Sequence, residues 1–276
     1  MVSRFFPLSE KRVYRLERSI RKRCKELPAE QTQRIYGWFT MLVPGLVKTR
    51  FEPRGEVVIV HQDGREIGFP NPMPLIKYQH VSFGYVAHLK NKYSLEGFVE
   101  VEPDDIVVDC GAFAGGFSIG AAKLARSLHL FEPSPQNAEV IRLNLADHSN
   151  AYVNECGLYD EDKIMILNVS SSAVEHSFLD PDDGDLVDTL SIPVQRLDTY
   201  FAAAGCAPDF VKIEAEGVEV EVLSGLGDLR PRKLAIDASP ERNAQSPIEE
   251  MTASLESMGY TCRRRNYMLF ALLNGS

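Results

Sequence analysis

The sequence lacks the features that would take it out of the ordinary globular classes. Its five cysteines, Cys24, Cys110, Cys156, Cys206 and Cys262, include no CxxC pair, so neither a disulfide framework nor a zinc site is indicated, and reduced thiols in a cytoplasmic protein are expected. No run approaches the roughly 20 apolar residues that span a bilayer, and the opening MVSRFFPLSEKRVYRLERSIRKRC has no uninterrupted apolar segment of the signal-peptide kind. Basic residues are scarce after the first 50: residues 51–276 hold 18 Lys and Arg against 35 Asp and Glu, a net −17. Wrapping nucleic acid takes a surface rich in phosphate-neutralising cations, so no nucleic-acid partner is expected. With 44% hydrophobic residues, 19 Gly and 16 Pro in 276, collagen-like, low-complexity and disordered classes are excluded. The length suits one large domain with a small appendage.

What is present begins with the missing charge. Residues 1–50 carry 12 Lys and Arg against 4 Asp and Glu, a net +8, and between 8 and 27 the residues Leu8, Val13, Leu16, Ile20 and Leu27 recur at helical spacing around a cationic face. The readings are a solvated helix packed on the body or on a second copy of the chain, a membrane-surface helix, or a contact for an acidic substrate. In FEPRGEVVIVHQDGREIGFP (51–70) two β-rich runs flank Gln62-Asp63-Gly64, a hairpin signal, and 74–92 is expected to be helical. Residues 1–95 are therefore read as an N-terminal cap of basic helix, hairpin and helix.

From about 104 short apolar strands alternate with helices. Strands are expected at 105–110, 128–132, 151–156, 208–213 and 233–237, and helices near 116–126, 135–146, 217–224 and 247–258. That alternation makes a parallel sheet covered on both faces, a doubly wound Rossmann-like α/β domain over 96–276. Residues 162–196 insert two further β-like runs around an acidic stretch that includes Asp180, Asp182, Asp183, Asp185 and Asp188. The C-terminal YTCRRRNYMLFALL reads as a hairpin that adds an antiparallel strand, seven in all.

Ligands on such sheets bind beyond the carboxyl ends of the strands. The first strand ends in Asp109-Cys110-Gly111-Ala112-Phe113-Ala114-Gly115-Gly116, where glycine allows a sharp turn and close approach of a ligand. Asp109 is placed to accept hydrogen bonds from that loop or from an ammonium group. Glu132 follows Gly111 by 21 residues, at the end of the second strand, where a carboxylate can take both hydroxyls of a ribose. Two cofactors suit such a nucleoside pocket. A dinucleotide requires GxGxxG, and Phe113 stands where the second of those glycines belongs, which disfavours close pyrophosphate approach. A cofactor without phosphate, S-adenosylmethionine, is favoured. The fourth strand runs into Lys212-Ile213-Glu214-Ala215-Glu216-Gly217-Val218-Glu219; Glu216 and Glu219 also suit a helix's first turn, whereas a charge at Lys212 or Glu214 beside a central strand needs a partner.

The runs VVDCGAFAGGFS, LFEPSPQNAEVIRLNL, CGLYDEDK, VQRLDTYF and above all DFVKIEAEGVEVEVLSGL resemble the FkbM-type methyltransferases, S-adenosylmethionine-dependent enzymes that methylate hydroxyl oxygens of macrolides, sugars and other metabolites. The resemblance covers roughly residues 95–240. It implies the class I methyltransferase fold and a cofactor held by Asp109, Gly111, Ala112, Phe113 and Gly115 at the methionine side, by Glu132, Pro133 and Ser134 at the ribose, and by Gly157 and Leu158 at the adenine. It implies too that Lys212, Glu214 and Glu216 face the transfer site. This chain departs from the family in having Phe113 where Asn is usual and Glu214 where Asp is usual.

Transfer from a sulfonium to an alcohol needs alignment, dryness and removal of a proton. Glu214 is the expected general base and Lys212 its orienting cation, with His80 and His176 as alternative bases and Asp237 shaping the substrate side. The acidic run of the insertion matches no calcium loop, and no metal is assigned. A small-molecule hydroxyl is the expected acceptor, in a pocket built from the cap, the 74–92 helix and the insertion. A nicotinamide-dependent oxidoreductase and a non-catalytic protein that keeps the fold are the competing functions.

Overall fold

A computed structural model describes residues 9–170, 186–240 and 245–275. The chain divides into two compact units between His88 and Leu89. In the first, α1 (Glu10–Cys24) buries Val13, Glu17 and Cys24 along one stripe and exposes its cations. The buried Glu17 carboxylate accepts the Tyr36 hydroxyl at 2.8 Å, and burial raises its pKa against the pull of that bond and of Arg21. A second helix, α2 (Ala29–Leu42), was not expected. Its buried face is Thr32, Gln33, Tyr36, Phe39 and Thr40, so the inward positions are largely polar and leave little apolar periodicity to read.

The hairpin expected at 51–70 is two strands of an antiparallel meander, β1 (Thr49–Arg54), β2 (Val57–Gln62) and β3 (Arg65–Pro70). Gln62 pairs with Arg65 across a two-residue turn in which Asp63 and Gly64 have φ of 51° and 72°, the left-handed pair that a twisted hairpin favours. The helical stretch 74–92 is broken into α3 (Leu75–Ser82) and α4 (Tyr85–Lys92) at Gly84, whose φ is 89°.

The second unit carries a seven-stranded sheet. Its strands are β4 (Ile106–Cys110), β5 (Ser127–Phe131), β6 (Ala151–Asn154), β10 (Phe210–Ile213), β11 (Lys233–Asp237), β12 (Tyr260–Arg265) and β13 (Met268–Leu273), in the order β12-β13-β11-β10-β4-β5-β6. Neighbours from β11 to β6 are parallel, and β13 is antiparallel to both β11 and β12. Strands β4, β10 and β11 are buried at every residue, as a sheet covered on both faces requires. Helices α5 (Gly116–Ala121), α6 (Pro135–Asn144), α7 (Leu197–Ala204), α8 (Glu219–Ser224) and α9 (Ile248–Ser257) complete the alternation. Of these α7 was not expected: it buries only Leu197 and Phe201, a single i,i+4 pair.

One continuous core joins Val108, Phe131, Val211, Ile213, Leu234 and Ile236 of the strands to Val222, Leu223, Met251 and Leu255 of α8 and α9. The inserted runs form β8 (Lys163–Ser170) and β9 (Leu186–Gln195), which pair antiparallel in a second small sheet with β7 (Gly157–Leu158). Strand order reverses between β4 and β10, so the crevice at their carboxyl ends is where a doubly wound sheet takes its ligand.

Candidate active site

Asp109 and Lys212 are register partners on β4 and β10. Their side chains are 1% and 2% exposed, and Lys212 Nζ lies 3.0 Å from Asp109 Oδ1. The same ammonium donates to the carbonyls of Cys110 at 2.9 Å and Gly111 at 2.6 Å, so two of its three protons go to the backbone. Burial pulls the Lys212 pKa down, yet Asp109 and Glu214 outweigh it and the net shift is upward. Asp109 Oδ2 accepts the Ser118 hydroxyl at 2.8 Å. Both residues are thus committed inward, beneath the glycine loop, and Asp109 presents almost no surface to a ligand.

The loop's first glycine is required by a neighbouring backbone. Gly111 has φ of 70°, and a Cβ built on it would lie 1.8 Å from the Glu214 carbonyl oxygen. Ala112 is buried and accepts the Gly115 amide at 2.8 Å; Gly115, with φ of 71°, starts α5. Phe113 is also left-handed, with φ of 53°, a conformation that Asn tolerates better than an aromatic residue. Its amide donates to Glu132 Oε2 at 2.8 Å. Glu132 Oε1 accepts the Ser134 amide at 3.0 Å and Asn137 Nδ2 at 3.2 Å, with Pro133 between Glu132 and Ser134 in the chain. Burial raises the Glu132 pKa and these donors oppose the rise. Three of about four acceptor directions are filled, so one remains for a ligand hydroxyl. Ser134 caps α6 through its hydroxyl, with Pro135 in the first turn. Gly157 and Leu158 are both buried and pair with Val194 and Gln195 of β9, just beyond the carboxyl end of β6.

At the third strand end Glu214, with its side chain 23% exposed, stands between two ammonium groups. Lys92 Nζ is 2.6 Å from its Oε1 and Lys212 Nζ 3.5 Å from its Oε2. Lys92 is also 2.7 Å from Asp237 Oδ2, and Asp237 Oδ1 accepts the Ser239 amide at 3.1 Å and hydroxyl at 2.6 Å. Asp109, Lys212, Glu214, Lys92 and Asp237 therefore alternate in sign along the rim. The buried Tyr93 ring lies under both lysines, 4.9 Å from Lys92 Nζ and 5.2 Å from Lys212 Nζ. Lys92 was missed from sequence, where it is one of two nearby lysines ending a helix, and no signal there marks it as a partner of Glu214.

Glu216 has φ of 48°, is half-buried, and turns the chain with Gly217 toward α8. The turn is held by Glu219, 1% exposed, whose Oε1 accepts the amides of Ala215 at 2.9 Å and Gly217 at 3.1 Å. Burial raises its pKa. Glu219 thus shapes the site from beneath. A cleft of about 270 Å³ adjoins this turn, lined by Gly217, Glu219, Ser239 and Ser246 among others. His80 belongs to the N-terminal unit, where its ring stacks on His88 at 4.4 Å. His176 and Asp180–Asp185 lie outside the described residues, and Asp188 is exposed on β9. Among the described residues no group of three or more His, Cys, Asp and Glu is arranged to hold a metal ion.

The arrangement suits a cationic nucleoside better than a dinucleotide. Both rim lysines are committed to carboxylates, so neither is available to neutralise a pyrophosphate. The alternating cluster of three acids and two lysines carries a net negative charge, which complements a sulfonium.

The family described as Methyltransferase FkbM domain matches residues 109–262, more than half of the chain. No curated protein matches the sequence. Among solved structures, the methyltransferase FkbM of Methylobacillus flagellatus KT is 19% identical over 71% of this chain and 53% of its own, with a TM-score of 0.47. The chain thus spans about half the length of that protein. The precorrin-6y C5,15-methyltransferase of Geobacter metallireducens GS-15 is 16% identical over 70% of this chain and 89% of its own, TM-score 0.38. The M. jannaschii TYW2 in complex with AdoMet is 13% identical over 80% and 85%, TM-score 0.41.

Proposed function

Because the chain belongs to the FkbM methyltransferase family, we propose that it is an O-methyltransferase that moves a methyl group from S-adenosylmethionine to a hydroxyl of a small molecule such as a natural product or a sugar. When bound, S-adenosylmethionine supplies a methyl already activated on a sulfonium, so the protein's tasks are alignment, desolvation and proton removal. Glu132 takes the ribose with its remaining acceptor direction. The Gly111–Gly115 loop, with Ala112 and Phe113, carries the methionine side. Gly157 and Leu158 border the adenine, and Pro133 and Ser134 hold Glu132 in place.

Glu214 is the residue we assign to the acceptor's proton. Held by the glycine loop and Glu132, the sulfonium would supply the methyl and leave as a thioether, and the Glu214 carboxylate would take the hydroxyl proton of the acceptor. Lys92 and Lys212 on either side orient that carboxylate. Glu216 stands at the mouth of the turn as a second polar contact. We place the acceptor against the open side of Glu214, whose side chain is 23% exposed. Residues 1–95 are assigned to a cap and 96–276 to the methyltransferase domain, with 162–196 as an insertion. The free thiols of the described cysteines suit a cytoplasmic site of action, and a second copy of the chain is the protein partner we assign.

The observation that carries this reading is Glu132, pinned by Phe113 N of the glycine loop with one acceptor direction left open. Calorimetric titration with S-adenosylhomocysteine tests it. Micromolar binding is expected, lost in a folded Glu132→Ala variant, and acceptor screening of hydroxylated metabolites then follows. Binding of a nicotinamide dinucleotide without S-adenosylhomocysteine binding, or a pocket empty at millimolar ligand, overturns it.

A further inference from the structure

The cations of α1 and an exposed apolar end of α2 have no part in the site above. Residues 1–88 carry 15 Lys and Arg against 8 Asp and Glu, a net +7, and residues 89–276 carry 15 against 31, a net −16. Seven of those cations fall within the 15 residues of α1, and of these Arg21 pairs with the buried Glu17 at 3.5 Å. At the end of α2, Trp38, Met41 and Leu42 are 63%, 58% and 77% exposed. They lie at i, i+3 and i+4, on the face opposite the buried Tyr36, and therefore form one apolar patch.

The patch and the N-terminal half of α1 occupy the same end of the unit. The loop that follows α2 returns Val47 to Ser82, with the Val47 amide donating to the Ser82 carbonyl at 3.0 Å. The next residue, Phe83, stacks on Tyr14 of α1 with ring centroids 4.4 Å apart. Tyr14 sits among the exposed Lys11, Arg12, Arg15 and Arg18.

We propose that this end of the N-terminal unit docks on an anionic lipid surface, with Trp38, Met41 and Leu42 entering the interface and the α1 cations meeting the lipid phosphates. A tryptophan with long unbranched and branched apolar neighbours suits the boundary between headgroups and acyl chains, and basic side chains beside it supply the electrostatic half of a two-part anchor. Contacts to a nucleic-acid backbone draw on the cations but have no use for an exposed Met and Leu. Among the described residues no helix is long and apolar enough to cross a membrane, so the attachment is peripheral.

The chain's single tryptophan, Trp38, reports on the proposal directly. With the full chain and vesicles of phosphatidylcholine containing 30% phosphatidylserine, Trp38 emission is expected to shift to the blue and to be quenched by brominated acyl chains, with no change on pure phosphatidylcholine. Arg12→Gln/Arg15→Gln should weaken vesicle binding about 25-fold, at roughly fivefold per cation. Leu42→Ser should weaken it about tenfold. Neither variant should alter the thermal melt or the affinity for S-adenosylhomocysteine, which separates this proposal from the assignment of the active site. Failure to float with anionic vesicles, or flotation without quenching by bromolipid, overturns it. So does a Trp38 shift produced by oligonucleotide or by raising protein concentration alone.

Discussion

Lys212→Met exposes the logic of the β4–β10 rim most directly. The substitution keeps the length and apolar stem of the side chain and removes an ammonium that is 2% exposed and held by Asp109 and two backbone carbonyls. Asp109, 1% exposed, is left without its cation, and breaking a buried pair from one side costs about 3–5 kcal/mol. For a domain of this size each kcal/mol moves Tm by about 2–4 °C, so a fall of roughly 6 °C or more is expected in a thermal melt. Asp109→Asn/Lys212→Met should recover much of the loss, because the uncompensated charge is gone. The sign of the pH dependence is also set. The Lys212 pKa is raised in the folded protein above its ordinary 10.5, so its contribution is complete at neutral pH and is lost as pH climbs through the higher folded-state value. Equilibrium melts of the wild type, both singles and the double complete the cycle. A Lys212→Met Tm within about 2 °C of wild type, or a double variant worse than the two singles combined, would refute the buried ion pair as the support of the loop.

Gly111→Ala forces a Cβ to within 1.8 Å of the Glu214 carbonyl oxygen at a φ that alanine disfavours, so a loss of about 2 kcal/mol or more is expected in urea unfolding, with S-adenosylhomocysteine affinity down at least tenfold. An unchanged titration would show that the two loops yield freely. Burial raises the Glu132 pKa above its ordinary 4.5; S-adenosylhomocysteine affinity should therefore begin to fall on acidification at a pH above that value, and Glu132→Gln should flatten the profile at a low plateau. Lys92→Met leaves Glu214 and Asp237 facing each other, but Lys92 is 22% exposed and Glu214 keeps Lys212. The expected cost is about 1–3 kcal/mol, smaller than for Lys212→Met, and a melt that ranks the two the other way contradicts the geometry.

Much of the main sheet could be read from residue patterns, because the physics there is local. Val107 and Val108, Leu128 and Leu130, Val211 and Ile213, and Leu234 and Ile236 are apolar runs short enough to be strands, bounded by turn residues, and each is buried in the sheet. The position of Glu132, 21 residues after Gly111, follows from one crossover between neighbouring parallel strands, so its meeting with the glycine loop is legible too. Elements with polar inward faces were not: α2 packs through Thr32, Gln33 and Thr40, and β1 is a half-exposed edge strand containing Pro53.

What the sequence by itself determined is which strands form and which carboxylates end them, since hydrophobic period and turn chemistry act over a few residues. Only the tertiary structure decided what those groups do to one another. Asp109 and Lys212 are 103 positions apart in sequence and 3.0 Å apart in space. Gly111 is glycine because of a carbonyl on another strand, and Lys92 joins Glu214 and Asp237 across β10 and β11. Charges placed by separate strands are coupled only when the sheet has brought them within a few ångströms and excluded water, and no local pattern in the chain encodes that distance.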